Sequence, residues 1–251
     1  MTLPGVRERE GDLVDVDGRR MRVRVEGEGP PLLLLNGLTR PLESWETVTR
    51  ALAGRTVVSF DAPGVGSSPT PRLPLSMSAL ARLAVSVLDA VGLDDADVLG
   101  FSHGGAVAQQ LAVDAPERVR RLVLVSTSCG IGATPADRGA LRGLLPRPAA
   151  HPWPWPDSVG TLWRILAISC WSSIPFLGAI RVPTIVVCGA RDRMVPATNS
   201  ALLARRIPGA QLVVLPAGHD LQRAGQAGSL VEIVEPFLAG RVLREPRLVS
   251  A

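Results

Sequence analysis

The segment Gly100-Phe101-Ser102-His103-Gly104 sets a serine between glycines two positions before and two positions after it. An apolar run, Val98–Phe101, leads into it, and a stretch with helical spacing, His103–Asp114, leads away. A serine on such a strand-to-helix turn stands exposed, and the glycines let strand and helix approach closely. The chemistry open to it is nucleophilic attack on a carbonyl, which requires a base to take the hydroxyl proton. Three histidines are present, His103, His151 and His219. His103 adjoins the serine and should point elsewhere from the turn. His151 lies in a Pro/Trp-rich stretch, where a structural or substrate-contacting role fits equally well. His219 ends Pro216-Ala217-Gly218-His219, directly after the apolar run Gln211–Leu215, which puts it at the same sheet edge as Ser102. It is the expected base.

The imidazole needs an acid to orient it, and in serine hydrolases built on a strand-turn-helix elbow the chain order is serine, acid, histidine. Asp192 satisfies that order, in Gly189-Ala190-Arg191-Asp192-Arg193 after the run Thr184–Cys188. The loop after Leu122–Val125 reads Ser126-Thr127-Ser128-Cys129 and carries no carboxylate. Asp114, Glu117, Asp137 and Asp157 fall at a helix end or in an irregular stretch, and Asp220 is too near His219 in the chain to pair easily. Acyl transfer also needs donors for the developing oxyanion. The backbone N–H of His103 is one, and the loop Asn36-Gly37-Leu38-Thr39 offers the N–H of Leu38 as the other.

These residues must be delivered by a regular frame. Residues 12–25 alternate apolar and polar around Asp17-Gly18, the pattern of a hairpin with one solvated face. Leu32–Leu35 is an unbroken apolar run, as are Thr56–Phe60, Leu122–Val125, Thr184–Cys188 and Gln211–Leu215. Helical spacing recurs between them at Ser44–Leu52, Met77–Val91, Thr198–Arg206 and Ser229–Leu238. Strands alternating with helices predict an α/β fold with a mainly parallel twisted sheet and helices on both faces. One segment, about residues 130–176, breaks the rhythm: it is rich in Pro, Gly and Arg and holds Trp153, Trp155, Trp163 and Trp171. It reads as an insertion over the carboxyl edge of the sheet, the place where such excursions cover ligand sites. A single domain over residues 1–251 with this lid is the expected organisation.

The composition, 46% hydrophobic and 20% charged over 251 residues, excludes a disordered, collagenous or disulfide-scaffold protein. Three separated cysteines and scattered histidines indicate neither a disulfide framework nor a metal cradle, and no Gly-x-Gly-x-x-Gly follows the first parallel strand, so no cofactor is expected. The N-terminus is charged where a secretory signal needs an apolar core, and no run reaches membrane-spanning length, so a cytoplasmic protein without a transmembrane segment is expected. The isoelectric point is about 10.0 because every basic residue is arginine. The pairs Arg19-Arg20, Arg120-Arg121 and Arg205-Arg206 are scattered, not clustered, and nucleic-acid binding is not expected.

Taken together, Asn36-Gly37, Asp61-Ala62-Pro63-Gly64-Val65-Gly66-Ser67-Ser68, the serine elbow, the acid turn and Gly218-His219 resemble the α/β-hydrolase superfamily over about residues 20–240. Four stretches are similar to intracellular depolymerases of medium-chain-length poly(3-hydroxyalkanoate): Leu32–Gly37, Phe60–Gly66, Gly104–Gln110 and Trp171–Pro175. Two features depart from that group, His103 where tryptophan is usual and a shorter lid. The resemblance implies a serine-dependent ester hydrolase accepting 3-hydroxyacyl esters, with Ser102 as nucleophile, Asp192 as acid and His219 as base. Lactonase, thioesterase and non-hydrolytic lyase or cyclase chemistry are the alternatives on the same fold.

Overall fold

The computed structural model describes residues 11–52, 54–141 and 157–241. His151, Trp153 and Trp155 lie outside the described residues. Eight strands form one sheet: β1 (Asp12–Val16), β2 (Arg19–Glu26), β3 (Pro31–Leu35), β4 (Thr56–Phe60), β5 (Ala96–Phe101), β6 (Val119–Val125), β7 (Thr184–Gly189) and β8 (Gln211–Leu215). Their order across the sheet is β1-β2-β4-β3-β5-β6-β7-β8. The β1–β2 and β2–β4 pairs are antiparallel and every later pair is parallel. The opening hairpin turns at Asp17 and Gly18, both with positive φ, as a two-residue turn matched to strand twist requires.

The apolar runs fill both faces of the sheet. Leu33, Leu35, Val98, Leu122, Leu124 and Val186 point to one layer, where they pack with α2 (Met77–Ala90), α3 (His103–Asp114) and α6 (Ala197–Arg206). Leu32, Leu34, Leu99, Phe101, Val123 and Ile185 point to the other, against α1 (Glu46–Ala51) and α7 (Ala227–Leu238). The period of two that sends neighbours to opposite faces makes both sets apolar, which is why the strands read as continuous runs. Helix α3 is buried from His103 to Ala112. It packs behind the elbow as the innermost helix of its layer.

The excursion between β6 and β7 is more regular than the sequence indicates. It contains α4 (Arg138–Leu141) and α5 (Ser158–Ser169), the latter capped by Asp157, whose carboxylate accepts the Gly160 N–H at 2.7 Å. Helix α5 is inverted relative to an ordinary surface helix: Val159, Leu162, Ile165 and Leu166 are exposed, while Gly160 and Arg164 are buried. Apolar periodicity therefore does not reveal which face meets the body. A bridge between Gly130 and Ser172 ties together the two ends of the excursion. No helix among the described residues is long and apolar enough to cross a membrane.

Candidate active site

Strand β5 ends at Phe101 and α3 begins at His103, so Ser102 must turn the chain alone. It does so at φ 52° and ψ −117°, a conformation that costs a residue with a side chain on the order of 1–3 kcal/mol. Neighbours hold it there. The Ser102 N–H donates to the Val125 carbonyl at 2.8 Å, and the Thr127 hydroxyl donates to the Ser102 carbonyl at 2.6 Å. Gly104 allows the start of α3 to press on the end of β3, where a Cβ would lie 2.1 Å from the Leu35 carbonyl oxygen.

Asp192 and His219 arrive from the ends of β7 and β8. The Asp192 Oδ1 accepts N–H bonds from Met194 at 2.9 Å and Val195 at 2.8 Å, leaving Oδ2 directed at His219 Nδ1, 2.8 Å away. On the far side of the imidazole, Nε2 stands 3.2 Å from Ser102 Oγ. The Phe101 ring lies against the imidazole, their centroids 5.2 Å apart and their planes tilted by 47°. Ser102, His219 and Asp192 thus form one chain of hydrogen bonds, with the acid buried and the serine open to a cavity. Four of the other acids have separate partners: Asp114 accepts from Gln110, Asp137 pairs with Arg193, Asp157 caps α5, and Asp220 pairs with Arg40 and Arg223.

A cavity of about 290 Å³ opens over Ser102 and is walled by Leu38, Phe101, His103, Ile168, Met194 and Val195, among others. Both residues expected to offer oxyanion donors, Leu38 and His103, line it. A second hollow of about 430 Å³ shares Ser128, Ala136, Ile168, Met194 and Val195 with it, so the two spaces adjoin along an apolar wall. Among the described residues no three of His, Cys, Asp and Glu come together to hold a metal.

Several side chains that hold this site are not singled out by sequence reasoning. Asn36 reads as part of a turn, yet its Nδ2 donates to the Pro41 carbonyl and Ser44 Oγ at 2.9 and 2.7 Å, while its Oδ1 accepts from Gly37 and Gln222. The side chain is the internal brace of the loop that carries Leu38. Arg40 bonds Asp220 at 2.6 Å and ties that loop to the turn of His219. Asp61 accepts N–H bonds from Leu42 and Ser67, and burial pushes its carboxyl pKa up. At the base of the excursion the Trp171 indole donates to Gln110 Oε1 and the Ser173 hydroxyl to Gln109 Oε1, each at 2.7 Å. Two of the stretches that carry the family resemblance therefore meet in space. The available signal was a pair of glutamines in an otherwise apolar helix, since buried amides require partners.

His103 does not face the Ser102 hydroxyl. Its imidazole is buried against α5, where desolvation and the Arg164 guanidinium push its pKa down to about 3 and keep it neutral at ordinary pH.

Comparison with known proteins agrees with this architecture. Residues 30–145 match the model of the alpha/beta hydrolase fold family. The chain is 33% identical to a poly(3-hydroxyalkanoate) depolymerase of Ectopseudomonas oleovorans, over 94% of this chain and 96% of that protein. It is 32% identical to a putative carbamate hydrolase of Azorhizobium caulinodans, over 77% of this chain and 85% of the relative. Among solved structures, the enol-lactonase of Burkholderia xenovorans superimposes with a TM-score of 0.79 at 25% identity, covering 89% of this chain and 98% of that one. With a parallel sheet ending in a strained serine elbow and full-length similarity of this degree, the chain belongs to the α/β-hydrolase family and is a hydrolytic enzyme of that fold.

Proposed function

We propose that this hydrolase cleaves carboxylic esters through a serine acyl-enzyme. His219 Nε2 takes the proton of Ser102 Oγ as the oxygen attacks the ester carbonyl, and Asp192 orients the imidazole and stabilises its protonated form. The N–H groups of Leu38 and His103 receive the oxyanion. Collapse of the tetrahedral intermediate breaks the ester C–O bond, and His219 returns its proton to the leaving alkoxide. Water, deprotonated by His219, then releases the acid and restores Ser102. The observation that carries this reading is the hydrogen-bonded line Ser102–His219–Asp192 at the floor of an apolar-walled cavity.

The chain is read as one domain over residues 1–251, with the excursion at about 130–176 serving as its lid. Aliphatic acyl chains suit walls made by Ile168, Met194 and Val195, and the similarity to a poly(3-hydroxyalkanoate) depolymerase makes medium-chain 3-hydroxyacyl esters the first to test. Initial rates on p-nitrophenyl esters from acetyl to dodecanoyl test the proposal, with Ser102→Ala as the blank. A rate abolished in the variant, together with wild-type acylation by a fluorophosphonate probe, is expected. Hydrolysis at the wild-type rate by Ser102→Ala removes the serine mechanism.

A further inference from the structure

Three arginines are buried among the described residues: Arg24, Arg55 and Arg164. Arg55 is held by Asp97 and Glu235, each at 2.9 Å, and Arg24 lies 4.0 Å from Glu43. Arg164 has no such partner. It is 3% exposed, and none of its three guanidinium nitrogens makes a hydrogen bond. Asp61 is the acid whose field reaches it, but the Asp61 oxygens are occupied by Leu42, Ser67 and Arg22. Burial lowers the Arg164 pKa only to about 10, so the group remains a cation at neutral pH.

The fold drives this charge inward. Gly160, one turn earlier on the same face of α5, meets Gly64 so closely that a Cβ on either would lie 2.7 Å from the other's Cα. Asp157 caps the helix and accepts from Thr70 at 2.9 Å, and the Trp163 indole donates to the Pro71 carbonyl at 3.2 Å. With α5 clasped in this way, Arg164 points to the sheet while Leu162, Ile165 and Leu166 face outward. A methionine would fill the same volume without a charge to desolvate, so packing alone does not explain a guanidinium here.

The guanidinium borders a cavity of about 30 Å³ that it shares with Asn36, Phe60, His103, Gly104 and Val107. A single water needs ~10–15 Å³, so the space takes a small polar group and nothing bulky. His103 also lines the Ser102 cavity, and its Nε2 is likewise buried without a hydrogen bond. His103 is thus the residue common to the two cavities, and a carboxylate that enters the smaller one meets Arg164 as an unpaired planar cation, the donor geometry that suits two carboxylate oxygens.

We propose that Arg164 forms a carboxylate-binding subsite, and that the ester cleaved at Ser102 carries a second, free carboxylate that this guanidinium receives. The natural substrates are then half-esters or lactones whose product has two acid groups, or an acid and a hydroxy acid. The substrate part of this inference rests on the serine-esterase reading, whereas the anion site does not.

Two measurements separate them. In the first, kcat/KM is compared between esters bearing a free carboxylate and the same esters methyl-capped. One series carries the carboxylate in the acyl part, as p-nitrophenyl half-esters of succinate to adipate; the other carries it in the alcohol part, as butyryl esters of hydroxy acids. Wild type should favour the free acid by 10-fold or more in one series, the ratio should collapse toward one in Arg164→Gln, and Arg164→Lys should restore part of it. Equal rates on free and capped esters in both series overturn the substrate assignment. In the second, acetate and glutarate are added to Ser102→Ala protein and thermal melting is followed. A dose-dependent rise in Tm that is absent from the Ser102→Ala/Arg164→Gln double variant establishes the anion site even if no ester is turned over. A rise with acetate but no carboxylate preference in either ester series marks a site for a free anion and overturns the substrate role. Arg164→Met should raise Tm in buffer free of carboxylate and halide, and a large fall in Tm instead makes the arginine structural and refutes the subsite.

Discussion

Replacing Gly104 by alanine perturbs the most crowded contact at the serine elbow. The new Cβ would lie 2.1 Å from the Leu35 carbonyl oxygen, 2.4 Å from its carbon and 2.7 Å from the Asn36 carbonyl oxygen, against an ordinary contact that begins at 3.4 Å. All three atoms are backbone, and Leu35 is paired with Gly100 in the sheet, so no side chain can swing aside. The start of α3 and the end of β3 must part by about 1 Å. Overpacking of this kind costs about 1–3 kcal/mol, or roughly 2–12 °C in Tm for a chain of this size. The functional loss should be larger in proportion. The displaced segments carry the N–H groups of His103 and Leu38, the two proposed oxyanion donors, and a misplacement near 1 Å costs about 10²-fold in rate. Steady-state kinetics on a p-nitrophenyl ester should show the fall mainly in kcat, because the donors act on charge that develops in the transition state. Gly228→Ala, on an exposed position of α7 where a Cβ meets nothing within 4 Å, is the control and should match wild type. A Gly104→Ala protein with kcat within threefold of wild type and an unchanged Tm refutes the reasoning that close approach of these segments sets the oxyanion geometry.

Other perturbations follow from the same contacts. Asp192→Asn keeps an oxygen for the Met194 and Val195 N–H groups but turns an amide toward His219, imposing the wrong tautomer; kcat should fall by about 10⁴-fold with an unchanged circular dichroism spectrum. His103 is held near pKa 3 when folded and returns to about 6.5 when unfolded, so below pH 6.5 the unfolded chain binds a proton that the folded one refuses. Its contribution is complete above pH 6.5 and is lost as pH falls toward 3, at about 1.4 kcal/mol per unit; urea midpoints at pH 7.5 and 4.5 should show a gap that narrows in His103→Phe. Asp97→Ala leaves the buried Arg55 without its 2.9 Å partner and should cost about 3–5 kcal/mol, read by urea denaturation. Trp171→Phe removes the indole donor from Gln110 and should destabilise by about 1–3 kcal/mol, and an unaltered denaturation midpoint would show that this anchor of the excursion contributes little.

The hairpin, the parallel strands and most helices were legible in the chain because each is encoded by local periodicity. Asp17-Gly18 permits the positive φ of the first turn, and Leu32–Leu35 is apolar throughout because both sheet faces are covered. That Ser102, Asp192 and His219 meet at one edge was legible for a related reason. In a parallel sheet every strand delivers its carboxyl end to one edge, so residues just beyond β5, β7 and β8 become neighbours whatever the intervening sequence. Helix α5 was not legible, since its apolar residues face outward and its inward face is set by glycine contact and capping, not by hydrophobic periodicity. Nor could the bracing roles of Asp61 and Gln110 be read locally, because their partners lie on other elements, in the case of Trp171 and Gln110 61 residues apart. The sequence by itself determined which groups of what chemistry reach the sheet edge. Only the tertiary structure decided which polar groups there are satisfied and which, like the guanidinium of Arg164, are buried with a charge unpaired, because hydrogen bonding and desolvation depend on every segment that closes around a group.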